Sequence, residues 1–309
     1  MNTKSIAWLC AGVMLLLCAN AFARDVTVNC AKKNQSIGAA LALLPAQGPH
    51  TIRVSGQCHE AVVIDRRDDL TLVGLDGASI YDPTPEVLDD NNVVSISESS
   101  RIRLQNLKIY GGLYAVACFS FSSCRLIGLE VAGAAAEGVA FSRSRGWLQD
   151  GTVIRDCGAG LSVYSQSTVL MSDFVGRSSI RNSSAGVGVR VQDNSVLLLT
   201  STDVTNNPLG ITALLGGEFR LQNVTVTGGG TGVQLSQGGL GQFSGVTITG
   251  NAADGVRVGQ LSFARFVGSS VVGNGSSTDI NCASATAATQ GAIDASVGQG
   301  GTTNCTDAP

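Results

Sequence analysis

From Leu107 to Asn274 the chain repeats one short pattern of apolar and polar positions. A column of β-branched residues runs Ile109, Val131, Ile154, Ile180, Val204, Val226, Ile248 and Val272, at steps of 22, 23, 26, 24, 22, 22 and 24 residues. Two positions before each stand Leu107, Leu129, Thr152, Ser178, Thr202, Val224, Val246 and Ser270. A turn residue follows each time: Gly111, Gly133, Asp156, Asn182, Asn206, Gly228, Gly250 and Asn274. Shortly afterwards a glycine (Gly138, Gly160, Gly188, Gly210, Gly232, Gly255) opens a run of alternating apolar residues, such as Leu161/Val163 and Val256/Val258.

Self-similarity at this period marks a solenoid, in which each repeat buries its apolar face against the next. Every repeat holds three stretches of period-two alternation separated by Gly, Asn, Asp and Ser, and none holds a helical pattern. The pattern predicts an all-β fold: a single-stranded right-handed parallel β-helix of 22–26 residues per coil. Less regular strands are expected at Thr51–Val54, Ala61–Ile64, Leu70–Val73 and Val93–Ile96, with the longest early loop from Asp82 to Asn92. One segment reads as helix. In Ser36–Leu44, Ile37, Ala40, Leu41 and Leu44 share a face and Pro45 ends the run, which suits a plug over the first coil. The Ala-, Thr- and Gly-rich tail loses the period and is expected to be the far cap. The chain thus divides into a leader (1–23), an N-terminal cap (24–50), the β-helix (51–282) and a C-terminal cap (283–309).

Lys4, the apolar run Ile6–Cys18 and Ala21-Phe22-Ala23 predict a signal peptide cleaved after Ala23, hence a secreted or periplasmic protein. No other run has the length of a membrane span. Removing Lys4 leaves 19 basic against 23 acidic residues, a net charge of −4 with no basic block, so nucleic acid is not an expected partner. Of nine cysteines, two lie in the leader. For the rest, bridges Cys30–Cys58, Cys282–Cys305 and Cys118–Cys124 are expected, with Cys157 left as a small buried residue.

The Gly-opened strands, the turn asparagines and the coil length resemble the pectin-lyase-like superfamily. More narrowly, they resemble bacterial secreted right-handed β-helix repeat proteins of unassigned function. The likeness covers Val26 to Cys282. It implies a fold and not one activity, because this fold carries lyases, hydrolases, epimerases, adhesins and tailspikes. The hydrolase branch would carry Asn-Thr-Asp, Asp-Asp, Gly-His-Gly and Arg-Ile-Lys. Here Asp68-Asp69 and Asp89-Asp90 precede the regular coils, Arg101-Ile102-Arg103 ends in Arg, and no Gly-His-Gly exists. The epimerase element Asp-Pro-His-Asp is replaced by Asp82-Pro83-Thr84-Pro85.

Candidate chemistry is sparse. Of the two histidines, His50 and His59, both in the N-terminal coil, the latter reads with Glu60 as a pair of solvated turn residues. The acidic loop Asp82, Glu86, Asp89, Asp90 lacks the alternating spacing of a calcium loop, so no metal or other cofactor is expected. One constellation stands out. If the apolar residues of the Gly-opened strand point inward, the outward ladder runs Ser162/Tyr164, Arg190/Gln192, Thr212/Leu214, Gln234/Ser236 and Arg257. Tyr164 suits stacking on a sugar ring, Arg190 and Arg257 suit carboxylates, and Gln192 and Gln234 suit hydroxyls. The expected function is a non-catalytic binding or surface-interaction module whose partner is an extended acidic polysaccharide, extracellular or of the cell wall. The alternative is a polysaccharide lyase or epimerase with an unrecognised active site.

Overall fold

The computed structural model describes residues 23–84, 92–173, 176–184, 186–276, 278–283, 292–294 and 302–305. The expected leader up to residue 22, the loop acids Glu86, Asp89 and Asp90, and most of the expected far cap lie outside them.

Among the described residues the strands form three parallel sheets, and the chain visits them in the order A, B, C once per coil. Sheet A has twelve strands, from Arg24–Asn29 to Ala292–Asp294. Sheet B has ten, from Gln57–His59 to Ser270–Val271, and sheet C has ten, from Val62–Asp65 to Ile280–Cys282. Each strand pairs with its own copy one coil away. Ser123–Ile127, for example, lies between Ile102–Gln105 and Arg145–Gln149.

Inward columns stack like on like. In sheet A, Leu72, Leu104, Leu126, Leu148, Met171, Leu199, Leu221, Phe243 and Phe266 are successive partners, and all are buried. Phe243 stands edge-on to Phe219 at 5.5 Å and stacks on Phe266 at 4.4 Å. The strand-opening glycines are explained by close approach. A Cβ on Gly160 would lie 2.4 Å from Ile180 Cγ2 of sheet B and 2.5 Å from the Gly188 carbonyl oxygen of the next coil.

The corner between sheets B and C carries a polar column inside the wall. Asn207 Oδ1 accepts from Ser183 N (2.9 Å), Asn251 Oδ1 from Gly229 N (3.2 Å), and Asn274 Oδ1 from Asn251 N (3.1 Å). These side chains satisfy buried backbone donors that no strand reaches. Cys157 lies one coil before Ser183 at this corner, free and buried, with its thiol donating to the Arg155 carbonyl oxygen at 3.2 Å. Burial raises its pKa, so it is a filled corner position and not a thiolate.

The three expected disulfides are present: Cys30–Cys58 at the first coil, Cys118–Cys124 across one corner, and Cys282–Cys305 at the far end. The helix spans Ile37–Leu43, and its Ser36 cap accepts from Ala39 N.

Several expectations need correction. The inward residue after Ile248 is Val271, not Val272, because Ser270-Val271 pairs with Thr247-Ile248. The positive-φ turn residue is accordingly Gly273, and Asn274 joins the corner column. Two adjacent valines left this phase ambiguous in the sequence. His59 is exposed as expected, but it lies at the end of a strand and not in a turn. His50 is buried, with Nε2 3.1 Å from the Gln47 carbonyl oxygen. His59 ends a sheet B strand and stacks on Tyr81, which stacks on Tyr110. Glu60 accepts from the Ile37 and Gly38 amides, at 2.7 and 3.0 Å, so it holds the start of the helix. In the tail, Ala292–Asp294 keeps the period as a last sheet A strand paired with Phe263–Val267.

Candidate binding face on sheet C

Sheet C has the register expected for the outward ladder. Ser162 partners Arg190, Arg190 partners Thr212, Thr212 partners Gln234, and Gln234 partners Arg257. The parallel ladder spaces these rungs by ~4.8 Å, so Arg190 and Arg257, three rungs apart, are separated by ~14 Å along the axis.

The ladder has two unlike halves. Towards the N-terminus the same column continues through Ala140 and Ala117. Ala117, Ala140 and Ser162 all have 0% exposure although they point away from the core. Larger outward neighbours enclose these small residues. Tyr114 and Glu137 are partners in one flanking column, while Ser142 and Tyr164 are partners in the other. Tyr114 packs edge-on against Phe119 at 5.9 Å. Tyr164 is half-buried, bonded to Tyr114 through the hydroxyls, and burial beside Glu137 raises its pKa. It is therefore part of the cover and not a free stacking platform.

Glu137 is the residue the sequence reading missed. It precedes the strand-opening Gly138, and extending that strand back by one residue would have placed it beside Tyr114. Only 12% of its side chain is exposed, and Arg190 Nη1 stands 3.8 Å from its Oε1. Burial raises the carboxyl pKa, while Ser162 and the Arg190 charge act in the opposite direction. Glu137 Oε2 and the Ser162 hydroxyl lack hydrogen-bond partners of good geometry. The site thus places a buried carboxyl with a raised pKa beside a guanidinium and a phenol, on a floor of small residues.

The other half is open. Thr212 is buried, Gln234 is half-buried, and Arg257 is exposed. The Arg257 guanidinium makes no hydrogen bond or ion pair among the described residues. The Gln192 amide donates to Asp193 at 3.1 Å. Asn281, the rung after Arg257, donates to Asp254 at 3.2 Å.

Other described acids are engaged by cations: Glu130 meets Lys108 and Arg155, and Asp68 and Asp69 meet Arg101. Asp156 pairs with Arg155 and Asn182, and Asp203 pairs with Arg177. Among the described residues the one set of ligand atoms close enough for a metal is Cys30, Cys58 and Glu60, whose cysteines are bridged. No described helix is long and apolar enough to cross a membrane.

Comparison with known proteins bears on the fold. No curated protein matches the sequence. Among solved structures the chain is similar to the ORF18 protein of Geobacillus virus E2, at 15% identity and a TM-score of 0.68 over 91% of this chain and 63% of that one. It therefore spans less than two thirds of the viral chain. It is also similar to the pectate lyase Pel9A, at 12% identity and a TM-score of 0.52 over 93% of this chain and 78% of that one. At such identities the likeness is one of fold. The family model described as "Right handed beta helix region" matches residues 138–297, just over half of the 309 residues, and the chain belongs to that family.

Proposed function

We propose that the protein is an exported, non-catalytic module that holds an extended acidic polysaccharide along the outer face of sheet C. The observation that carries this reading is the Arg190–Thr212–Gln234–Arg257 column, four consecutive rungs with a guanidinium at each end. Among the described residues Arg257 is exposed without an acidic partner, and Arg190 meets only the distant edge of Glu137. Guanidiniums bind carboxylates bidentately, and the Gln234 and Gln192 amides suit hydroxyls between them. Tyr164 bounds the binding track at its covered end. An exported setting is supported by three disulfides, which persist in oxidising compartments. The test is retention on immobilised alginate and polygalacturonate. Arg190→Ala with Arg257→Ala should weaken retention by about tenfold or more, since it removes two charge-assisted contacts and one alone is worth about tenfold. Unchanged retention overturns the reading.

One observation favours a second reading, a lyase or epimerase acting on the same chain: the buried Glu137 carboxyl, its pKa raised by that burial, beside Arg190 and Tyr164. Proton abstraction beside a uronate carboxylate needs a cation on that carboxylate and a nearby proton acceptor, and a raised pKa makes the ionised Glu137 carboxylate the stronger base. Incubation with either polymer, followed by absorbance of the new double bond for a lyase and by C5 exchange with deuterated water for an epimerase, separates the readings. Turnover that disappears in Glu137→Gln establishes the catalytic one. Retention without turnover establishes the binding one.

A further inference from the structure

The outer face of sheet A carries a different column, independent of sheet C: Arg103, Arg125, Trp147, Leu170 and Leu198 are successive partners. Trp147 is 37% exposed, unusual for a side chain with so much apolar area to bury. It borders a concavity of about 510 Å³ that Arg101, Arg103, Arg125 and Gln149 also line. The strand fixes the surroundings of the indole. Arg125 lies one rung before it in the wall of the concavity, and Arg145 lies two residues before it on the same strand and face, outside that wall and lining the neighbouring concavity.

The charges on this face are unevenly neutralised. Asp68 and Asp69 pair with Arg101, and Asp69 also meets Arg103 at 3.3 Å. Among the described residues Arg125 touches no carboxylate; its Nε donates to Gln149 Oε1 at 2.6 Å, which fixes its plane and leaves its terminal nitrogens available. The Arg145 side chain makes no hydrogen bond or ion pair among the described residues and is exposed. Two uncompensated guanidiniums therefore flank an exposed indole on a rigid sheet, in a chain whose formal net charge is −3. An apolar ring face with paired forks beside it matches a sugar ring bearing a carboxylate or sulfate: the C–H face lies on the indole and the anion sits between the guanidiniums. Leu170 and Leu198 continue the apolar floor for a neighbouring ring.

We propose that this concavity is a second saccharide subsite, specific for an anionic sugar ring stacked on Trp147 and held by Arg125 and Arg145. Trp147 is also the reporter, since the one other tryptophan, Trp8, lies in the leader and Trp8→Phe removes it. The Trp8→Phe chain is titrated with a mannuronate hexasaccharide, a heparin-derived hexasaccharide and cellohexaose while indole emission is followed. An anionic oligosaccharide should shift the emission, added salt should weaken the effect, and cellohexaose should leave it unchanged. A response to the mannuronate probe shows that a carboxylate suffices, and a response to the heparin probe alone, which carries both groups, assigns the anion as sulfate. Arg125→Ala with Arg145→Ala should weaken binding about tenfold or more, whereas Arg190→Ala with Arg257→Ala should alter it by less than about twofold. The proposal is overturned if neither anionic probe shifts the emission at millimolar concentration. It is equally overturned if cellohexaose does so as strongly, or if the Arg125/Arg145 variant binds undiminished. The sheet C reading stands or falls separately, on the Arg190/Arg257 pair.

Discussion

Sheets A and C are built from the same coils, with the same parallel ladder and equally apolar inward columns, yet their outer faces have opposite characters. On sheet C the small residues Ala117, Ala140 and Ser162 are sealed by tyrosines and Glu137, and the cations begin only at Arg190. On sheet A the large indole of Trp147 stands open among arginines. Hydrogen bonding therefore does not determine which face is available to a ligand. The inward residue of each strand is constrained by two stacked neighbours, while the outward residue is constrained only by the side chains beside it. What a face presents is set by residue size across three adjacent columns, not by any single ladder.

That contrast can be broken first on the inside. Phe243→Ala removes a ring packed between two others and should cost about 3–5 kcal/mol in denaturant unfolding. Trp147→Ala, outward on the same sheet, should cost less than a third of that. Equal costs would mean that the indole is structural and not a platform. Next come the ends against the middle. Replacing Cys30 and Cys58 by serine unties the first coil and should cost about 2–4 kcal/mol, read as a lower midpoint. The corner column follows. Asn251→Ala leaves the Gly229 amide without its acceptor and should cost about 1–3 kcal/mol, with faster hydrogen exchange at that amide. The smallest effect concerns the sealed half of sheet C. Glu137 keeps its proton to higher pH folded than unfolded, so its ionisation subtracts stability as pH rises through the carboxylate range. Glu137→Gln should abolish that fall and change stability by less than about 1 kcal/mol near neutral pH, visible as a flatter pH profile of the midpoint.

Much of the architecture was legible in the sequence because stacking forces repetition. The columns through Ile109 to Ile248, the opening glycines and the three bridges each leave a periodic or paired mark. The phase failed only at Val271-Val272, where two equivalent residues compete and the positive φ of Gly273 decides. The candidate sites were less legible. The order Ser162, Arg190, Thr212, Gln234, Arg257 was readable from alternation alone. That Ser162 is sealed and Tyr164 serves as its cover depends on Tyr114 and Glu137, 50 and 27 residues earlier than Tyr164, whose lateral contacts carry no period. Trp147 was unreadable for the same reason: its partner Arg125 is 22 residues away, and nothing in the local pattern marks sheet A as open. Glu60 looked like a loop residue because its partners, the Ile37 and Gly38 amides, belong to the helix.

The rung-by-rung register also makes the protein a ruler. Because each coil adds one strand to every sheet, the distance between Arg190 and Arg257 can change only by whole coils, in increments of ~4.8 Å. Inserting or excising a coil such as 210–231 would lengthen or shorten that span by one increment. It would leave the chemistry at both ends intact, so selection for the repeat of a bound polymer would act in discrete steps on the number of coils.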